Sequence, residues 1–206
     1  MRRREFIASL GSGAHGWSLA AIGLVLLAVL VLPKSAAPQI TFPPEGSNVR
    51  FALTAADGTA ITEQNYRGKW LVIYFGYTFC PDVCPTTLMD IAGALDALGL
   101  RAAAVQGLFI TIDPKRDTPS TLTEYLKSFD PRIVGLTGTP AQIALAAKSF
   151  HVFYERQDTD DSNYVYDHST FIYLVNPDGK VSEAIASEGG SKQIADALSA
   201  LMNAGR

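Results

Sequence analysis

Residues 70–85 read Trp70-Leu71-Val72-Ile73-Tyr74-Phe75-Gly76-Tyr77-Thr78-Phe79-Cys80-Pro81-Asp82-Val83-Cys84-Pro85. The run from Trp70 to Tyr77 is continuously β-branched and aromatic, the pattern of a central strand buried on both faces. From Pro85 to Leu98 the apolar residues Leu88, Ile91, Ala92, Leu95 and Leu98 recur at helical spacing, and Gly99 is a stop signal. The two cysteines of the chain therefore sit where a buried strand ends and a helix begins. Free backbone N–H groups and the positive end of a helix stabilise thiolates at such a junction. Pro85 suits the first turn, where its missing N–H is not needed, and Thr86 and Thr87 are candidate caps.

The flanking segments extend this into an alternating order. Phe51 to Leu53, the Asp57-Gly58 turn and Ala60-Ile61 predict a small hairpin. Leu108 to Ile112 predicts a second buried strand. Helices follow over 120–129 and 140–150, with Thr118 and Thr139 as N-caps, and Ile133 to Gly135 is a short strand between them. Thr170 to Val175 is a third main strand. The turn Asn176-Pro177-Asp178-Gly179 returns the chain as a hairpin over 180–186, and residues 190–202 form a closing helix. A β-α-β core with a right-handed crossover, followed by a β-β-α unit, is the thioredoxin-like arrangement of the α/β class: a central mixed sheet flanked by helices, with an N-terminal hairpin.

The chain has 206 residues, 17 basic and 20 acidic side chains, and a formal net charge of -3. It offers no large basic surface, which argues against nucleic acid as a partner. The two cysteines exclude a disulfide-rich scaffold and an all-cysteine zinc or iron–sulfur site.

The N-terminus carries Arg2, Arg3 and Arg4, and the stretch Ser12 to Leu32 then holds 21 residues without an acidic or basic side chain. As a helix it measures about 31 Å at about 1.5 Å per residue, against a bilayer core of about 30 Å. The positive-inside rule keeps residues 1–11 in the cytoplasm, makes 12–33 a transmembrane anchor and sends the remainder across the membrane. A cleaved export signal, with small residues at Ser35-Ala36-Ala37, is the competing reading. Arg3-Arg4-Glu5-Phe6-Ile7 fits either a twin-arginine signal or an ordinary positive flank. Residues 34–47 read as a Pro-rich linker and 48–206 as the folded domain. Without residues 1–37 the chain has 13 basic and 19 acidic residues, a formal charge of -6. The expected setting is a bacterial inner membrane, with the domain in an oxidising periplasm.

The spacing of Cys80 and Cys84 is one residue longer than that of a C-x-x-C redox pair, so both sulfurs can converge on a third body. Soft thiolates select soft metals such as Cu(I). The plain alternative is a disulfide closing a short loop, a poor staple because short loops gain least from closure. Two thiolates leave a three-coordinate site one ligand short. His15 lies at the edge of the apolar segment, and His151, at a helix end among apolar residues, reads as a packing residue. His168 precedes the third main strand, and the loop entering that strand faces the loop after the first. His168 thus stands opposite Cys80 and Cys84, and a Cys-Cys-His site follows.

With these motifs in hand, the chain resembles the Sco/SenC family of copper-binding proteins. The stretches that carry the resemblance are Val72 to Pro85, Thr111-Ile112-Asp113-Pro114-Lys115-Arg116-Asp117-Thr118-Pro119, Leu136-Thr137-Gly138 and Asp167-His168-Ser169. Their order and spacing agree with the family over about residues 48–203. The resemblance implies a membrane-tethered thioredoxin-like domain that assists assembly of the dinuclear copper (CuA) centre of cytochrome c oxidase. It implies Cys80, Cys84 and His168 as ligands of Cu(I) or Cu(II), and the oxidase subunit that carries CuA as partner. It sets the loop Asp113 to Pro119 beside the site, with Asp117 supporting the ligands from behind.

Two functions fit these residues. One is a copper chaperone, which is not an enzyme. Another is a thiol–disulfide oxidoreductase, in which Cys80 and Cys84 reduce the acceptor's cysteines or serve redox signalling. A peroxiredoxin-like peroxidase fits poorly, since Thr78 stands only two positions before Cys80 and no proline occurs from Trp70 to Phe79. Zinc also fits poorly, with three converging ligands. The polar stretch Arg156 to Asn163 reads as a mobile loop that lets His168 swing.

Overall fold

The structure, a computed structural model, describes residues 41–159 and 163–205. The apolar stretch 12–33 lies outside these residues, as does His15. Among the described residues no helix is long and apolar enough to cross a membrane.

Seven strands form one sheet: β1 (Ala52–Ala55), β2 (Ala60–Thr62), β3 (Trp70–Gly76), β4 (Val105–Thr111), β5 (Ile133–Thr137), β8 (Phe171–Val175) and β9 (Val181–Ala186), in the order β2-β1-β5-β4-β3-β8-β9. Two further strands, β6 (Tyr154–Asp158) and β7 (Tyr164–His168), pair only with each other. The helices are α1 (Val83–Ala97), α2 (Pro119–Leu126), α3 (Pro140–Ser149) and α4 (Gly190–Ala204). This is the expected mixed α/β arrangement. The N-terminal hairpin joins the main sheet by pairing β1 antiparallel to β5.

β3 lies at the centre because its sequence suits no other place. Every residue after Trp70 in the strand is buried. Alternation sends Tyr74 to one face, stacked on Phe109, and Phe75 to the other, against Phe150 and Tyr173 at centroid distances of 5.3 and 6.1 Å. Helix α1 packs with α4, burying Leu88, Ile91 and Leu95 at the spacing read from the sequence.

β3 runs parallel to β4 and antiparallel to β8. The chain therefore leaves β3 and β4, and enters β8, at the same end of the sheet. Ile112 N–H donates to Gly76 O at 2.8 Å, which keeps the two outgoing segments side by side. Chemistry gathers at such carboxyl ends because the backbone there is free to turn toward a ligand.

The expected linker is described from Thr41 onward, and there it is already held to the domain. Pro43 is buried, Phe42 meets Phe171 edge-on at 4.6 Å, and Gly46 N–H donates to Val181 O at 2.8 Å. Of the stretch Arg156 to Asn163 expected to be a mobile loop, residues 160–162 lie outside the described residues, and its first part is a strand. Arg156 to Asp158 belong to β6, with Arg156 opposite Tyr166 and Asp158 opposite Tyr164. The polar side chains are tolerated because this ribbon presents its outer face to water.

Both predicted threonine caps are present. Thr118 Oγ1 accepts from Thr121 N–H at 3.2 Å, and Thr139 forms a reciprocal box in which Gln142 Oε1 accepts from Thr139 N–H at 2.8 Å. Thr86 and Thr87 instead donate to the carbonyls of Asp82 and Val83, one turn back. Losing the exposed Thr139 cap costs about 1 kcal/mol. Thr139→Ala is therefore expected to lower the thermal midpoint by about 2–4 °C, read by circular dichroism, without changing the thiol chemistry described next.

Candidate metal centre

Cys80 sits in the turn that follows β3. Its N–H donates to Tyr77 O at 3.2 Å, which folds the chain back over the end of the strand. Asp82 is the N-cap of α1, so Cys84 falls in the first helical turn, one residue before Pro85. Its sulfur is wholly buried. Tyr74 Oη donates to Cys84 Sγ at 3.7 Å.

The space for that sulfur comes from Gly76. A Cβ placed there would stand 2.7 Å from Cys84 Sγ and 2.9 Å from the Phe109 ring. The glycine is thus needed for close approach rather than for backbone freedom.

His168 is the last residue of β7. Nδ1–H donates to Ser169 O at 2.9 Å, which turns Nε2 toward the sulfurs. Nε2 lies 3.8 Å from Cys84 Sγ. The rings of Tyr77 and Tyr74 flank the imidazole edge-on, at centroid distances of 5.8 and 6.4 Å.

The ligand atoms of Cys80, Cys84 and His168 all lie within 4.8 Å of one another. Thus the three residues singled out from sequence do converge. With bonds of about 2.3 Å to sulfur and about 2.0 Å to nitrogen, a trigonal metal spaces those two ligand atoms by about 3.7 Å. The 3.8 Å separation of Cys84 Sγ and His168 Nε2 fits that spacing. His151 stands apart, in left-handed backbone (φ 54°) just after α3, with Nδ1 3.4 Å from Thr41 Oγ1.

The two thiols are free, so the disulfide reading is not met here. They are also unequal. The hydrogen bond from Cys84 holds Cys80 well below the usual thiol range, and His168 and the backbone N–H groups of Asp82 and Cys84 add to this. Cys84, the donor to that thiolate, is pushed up by the same bond and by its burial. Cys80 is thus the more acidic thiol of the pair.

Asp117 touches no ligand. Its buried carboxylate accepts from Thr78 N–H at 3.0 Å, Thr78 Oγ1 at 2.6 Å and Thr111 Oγ1 at 2.6 Å. Burial pushes its pKa up and these donors oppose the push. Asp117 therefore ties the loop after β4 to the turn that carries Cys80.

Sequence reasoning missed the β6–β7 ribbon and the roles of Gly76, Tyr74 and Tyr77. The signal for the ribbon was the alternation Tyr164, Tyr166, His168 on one face against Val165 and Asp167 on the other.

The chain is similar to several known proteins. The family model described as SCO1/SenC matches residues 43–203. A mitochondrial SCO1 homologue from Arabidopsis thaliana is 43% identical over 129 residues, covering 62% of this chain and 39% of that protein. A SCO2-like protein from Rickettsia felis is 38% identical over 178 residues, covering 84% of this chain and 87% of that one. Bradyrhizobium japonicum ScoI, solved with copper bound, superposes with a TM-score of 0.69 at 41% identity, covering 74% of this chain and 97% of that one.

Two outcomes follow from the geometry. Gly76→Ala should displace Cys84 Sγ and destabilise the fold by about 1–3 kcal/mol, the usual cost of overpacking; denaturant unfolding reads the loss and thiol titration the displacement. Iodoacetamide should alkylate Cys80 rapidly well below pH 8, with a midpoint far under the ordinary thiol value of about 8.5, while Cys84 reacts slowly throughout. The rate falls only when acid protonates the Cys80 thiolate, and peptide mapping by mass spectrometry identifies the labelled sulfur.

Proposed function

The chain belongs to the SCO1/SenC family, and on that footing we propose that it binds copper through Cys80, Cys84 and His168 and delivers it to the CuA centre of cytochrome c oxidase. The observation that carries this reading is the convergence of two thiols and one imidazole within 4.8 Å. That donor set suits Cu(I), a soft ion that accepts three ligands of mixed sulfur and nitrogen type.

Each residue has a definable part. Cys80 offers a thiolate before any metal arrives. Cys84 gives up its proton on binding, as coordinating thiols do. His168 supplies Nε2 while Ser169 O retains the Nδ1 proton. Copper here is cargo rather than a resident cofactor, and a three-ligand site permits its transfer by stepwise ligand exchange. Cys80 stands at the outer side of the pair, beside the 58% exposed Phe79, and Cys84 at the inner side. An acceptor's thiolate would replace Cys80 first.

The stretch 12–33 is proposed as the anchor or export signal that places the domain outside the cytoplasm. A thiol pair in an oxidising space needs a reductant or a metal to remain open.

A second reading rests on the unequal acidity of the thiols. Cys80 as thiolate can attack an acceptor disulfide, forming a mixed disulfide and releasing one acceptor thiolate. Cys84 then displaces the second, leaving Cys80 and Cys84 oxidised to a disulfide and the acceptor as a dithiol. Reducing the acceptor in this way would prepare it for copper.

The two readings differ at His168. The purified chain, reduced and given Cu(I), should bind one copper per chain by metal analysis. Cys80→Ser should abolish tight binding. His168→Ala should weaken it more than about 100-fold, since a ligand outweighs a supporting partner, yet leave exchange with a small disulfide intact. A wild-type chain that binds no copper under reducing conditions would sink the proposal.

A further inference from the structure

A half-buried cation lies beside the centre and takes no part in ligation. This is Arg116, whose side chain is 15% exposed. Its Nε donates to the Asp113 carboxylate, itself buried. One terminal nitrogen, Nη1, donates to Tyr164 O at 2.9 Å and to Asn163 Oδ1 at 3.1 Å. The guanidinium also lies over the Tyr164 ring at 3.7 Å and the Phe79 ring at 4.6 Å. Among the described residues the buried Nη2 has no hydrogen-bond acceptor; the surrounding aromatic faces lie against it instead. The ring of contacts closes where Tyr164 Oη donates to Asp113 Oδ1 at 3.0 Å.

Tyr164 is the first residue of β7 and His168 the last. Residues at i, i+2 and i+4 of a strand share a face, so Tyr164, Tyr166 and His168 all look toward the end of the main sheet. The ribbon makes no ladder with that sheet, and an isolated two-stranded ribbon is marginal by itself. Its placement therefore depends on side-chain contacts. At the middle, Tyr166 N–H donates to Tyr77 Oη at 3.3 Å. At the start of the strand the hold is Arg116.

We propose that Arg116, locked by Asp113, is the positioning residue for His168: it clamps the start of β7 to the loop after β4 and so sets the imidazole against the two sulfurs. This rests on the reading of Cys80, Cys84 and His168 as a copper site. The planar fork matters because a single group must reach the Asp113 carboxylate, the Tyr164 carbonyl and the Tyr164 ring together, which a lysine cannot do.

The test has a metal-free arm and a copper arm, both on the full chain. In the copper-free protein, the imidazole 15N–1H signals of His168 report the ring's position directly. Arg116→Met should shift and broaden these signals while leaving those of His151 in place, and Arg116→Lys should recover them only in part. Tyr164→Phe keeps the ring and loses only the bond to Asp113, so it should produce a smaller change in the same signals if Arg116→Met fails to fold. In the copper arm, Arg116→Met should lower copper affinity by about 10–100-fold and weaken the nitrogen signature of the Cu(II) electron paramagnetic resonance spectrum toward that of His168→Ala. His168 signals unchanged in both Arg116→Met and Tyr164→Phe would overturn the clamp. Equal changes at His151 would also overturn it, by showing general loosening. Should the wild-type chain take up no copper, the functional reading fails, while the His168 signals still decide the clamp.

Discussion

The position of β3 between a parallel and an antiparallel neighbour is the constraint on which the rest depends. A strand buried on both faces must be covered by helices, and a parallel neighbour can be reached only through a crossover, here α1. The antiparallel β8 on the other side brings its incoming chain to the end where β3 leaves. Three segments distant in sequence thus meet over one strand end. The pairing of Tyr74 with Phe109 on one side and Ile172 on the other sets their relative height. A shift of one residue in either register would turn Tyr74, Gly76 and the sulfur they accommodate to the wrong face.

Two buried carboxylates turn that meeting point into a defined geometry. Asp117, which accepts from Thr78 and Thr111, joins the outgoing ends of β3 and β4. Asp113, which accepts from Arg116 and Tyr164, joins the same loop to the ribbon. Buried carboxylates are costly unless every lone pair is used, and a network that uses them fixes one arrangement over its competitors. Asp113 and Asp117 both belong to a single loop, so that loop acts as the keystone between the cysteine turn and the histidine strand. The ligand positions are held from behind and stay accessible from the side of Phe79.

Much of this was legible in the sequence, for identifiable reasons. The apolar run at Trp70 to Tyr77 and the helical spacing from Leu88 to Leu98 are strong periodic signals, and Thr118 and Thr139 announce their helices by local hydrogen bonds. Cys80 and Cys84 lie only four positions apart, so their proximity needed no tertiary information. The ribbon was harder to see. Arg156, Gln157 and Asp158 are polar throughout, and a strand with no buried face gives no alternation on that side. The ribbon's order comes from Arg116 and Tyr77, which are remote in sequence. Gly76 was equally silent, because a glycine at the end of a strand shows no sign of the sulfur that will occupy its missing Cβ.

By itself, the sequence determined the element order, the mixed α/β class and the pair of thiols at a helix start, because each follows from local periodicity, capping and spacing. It also nominated His168 as the third ligand by topology. Only the tertiary structure decided that Nε2 comes within 3.8 Å of Cys84 Sγ, that Cys80 is more acidic than Cys84, and that Arg116 spans from the loop to the ribbon. Those properties are set by distances and burial among residues up to 84 positions apart. Local propensities carry no information about such distances until the sheet has closed around them.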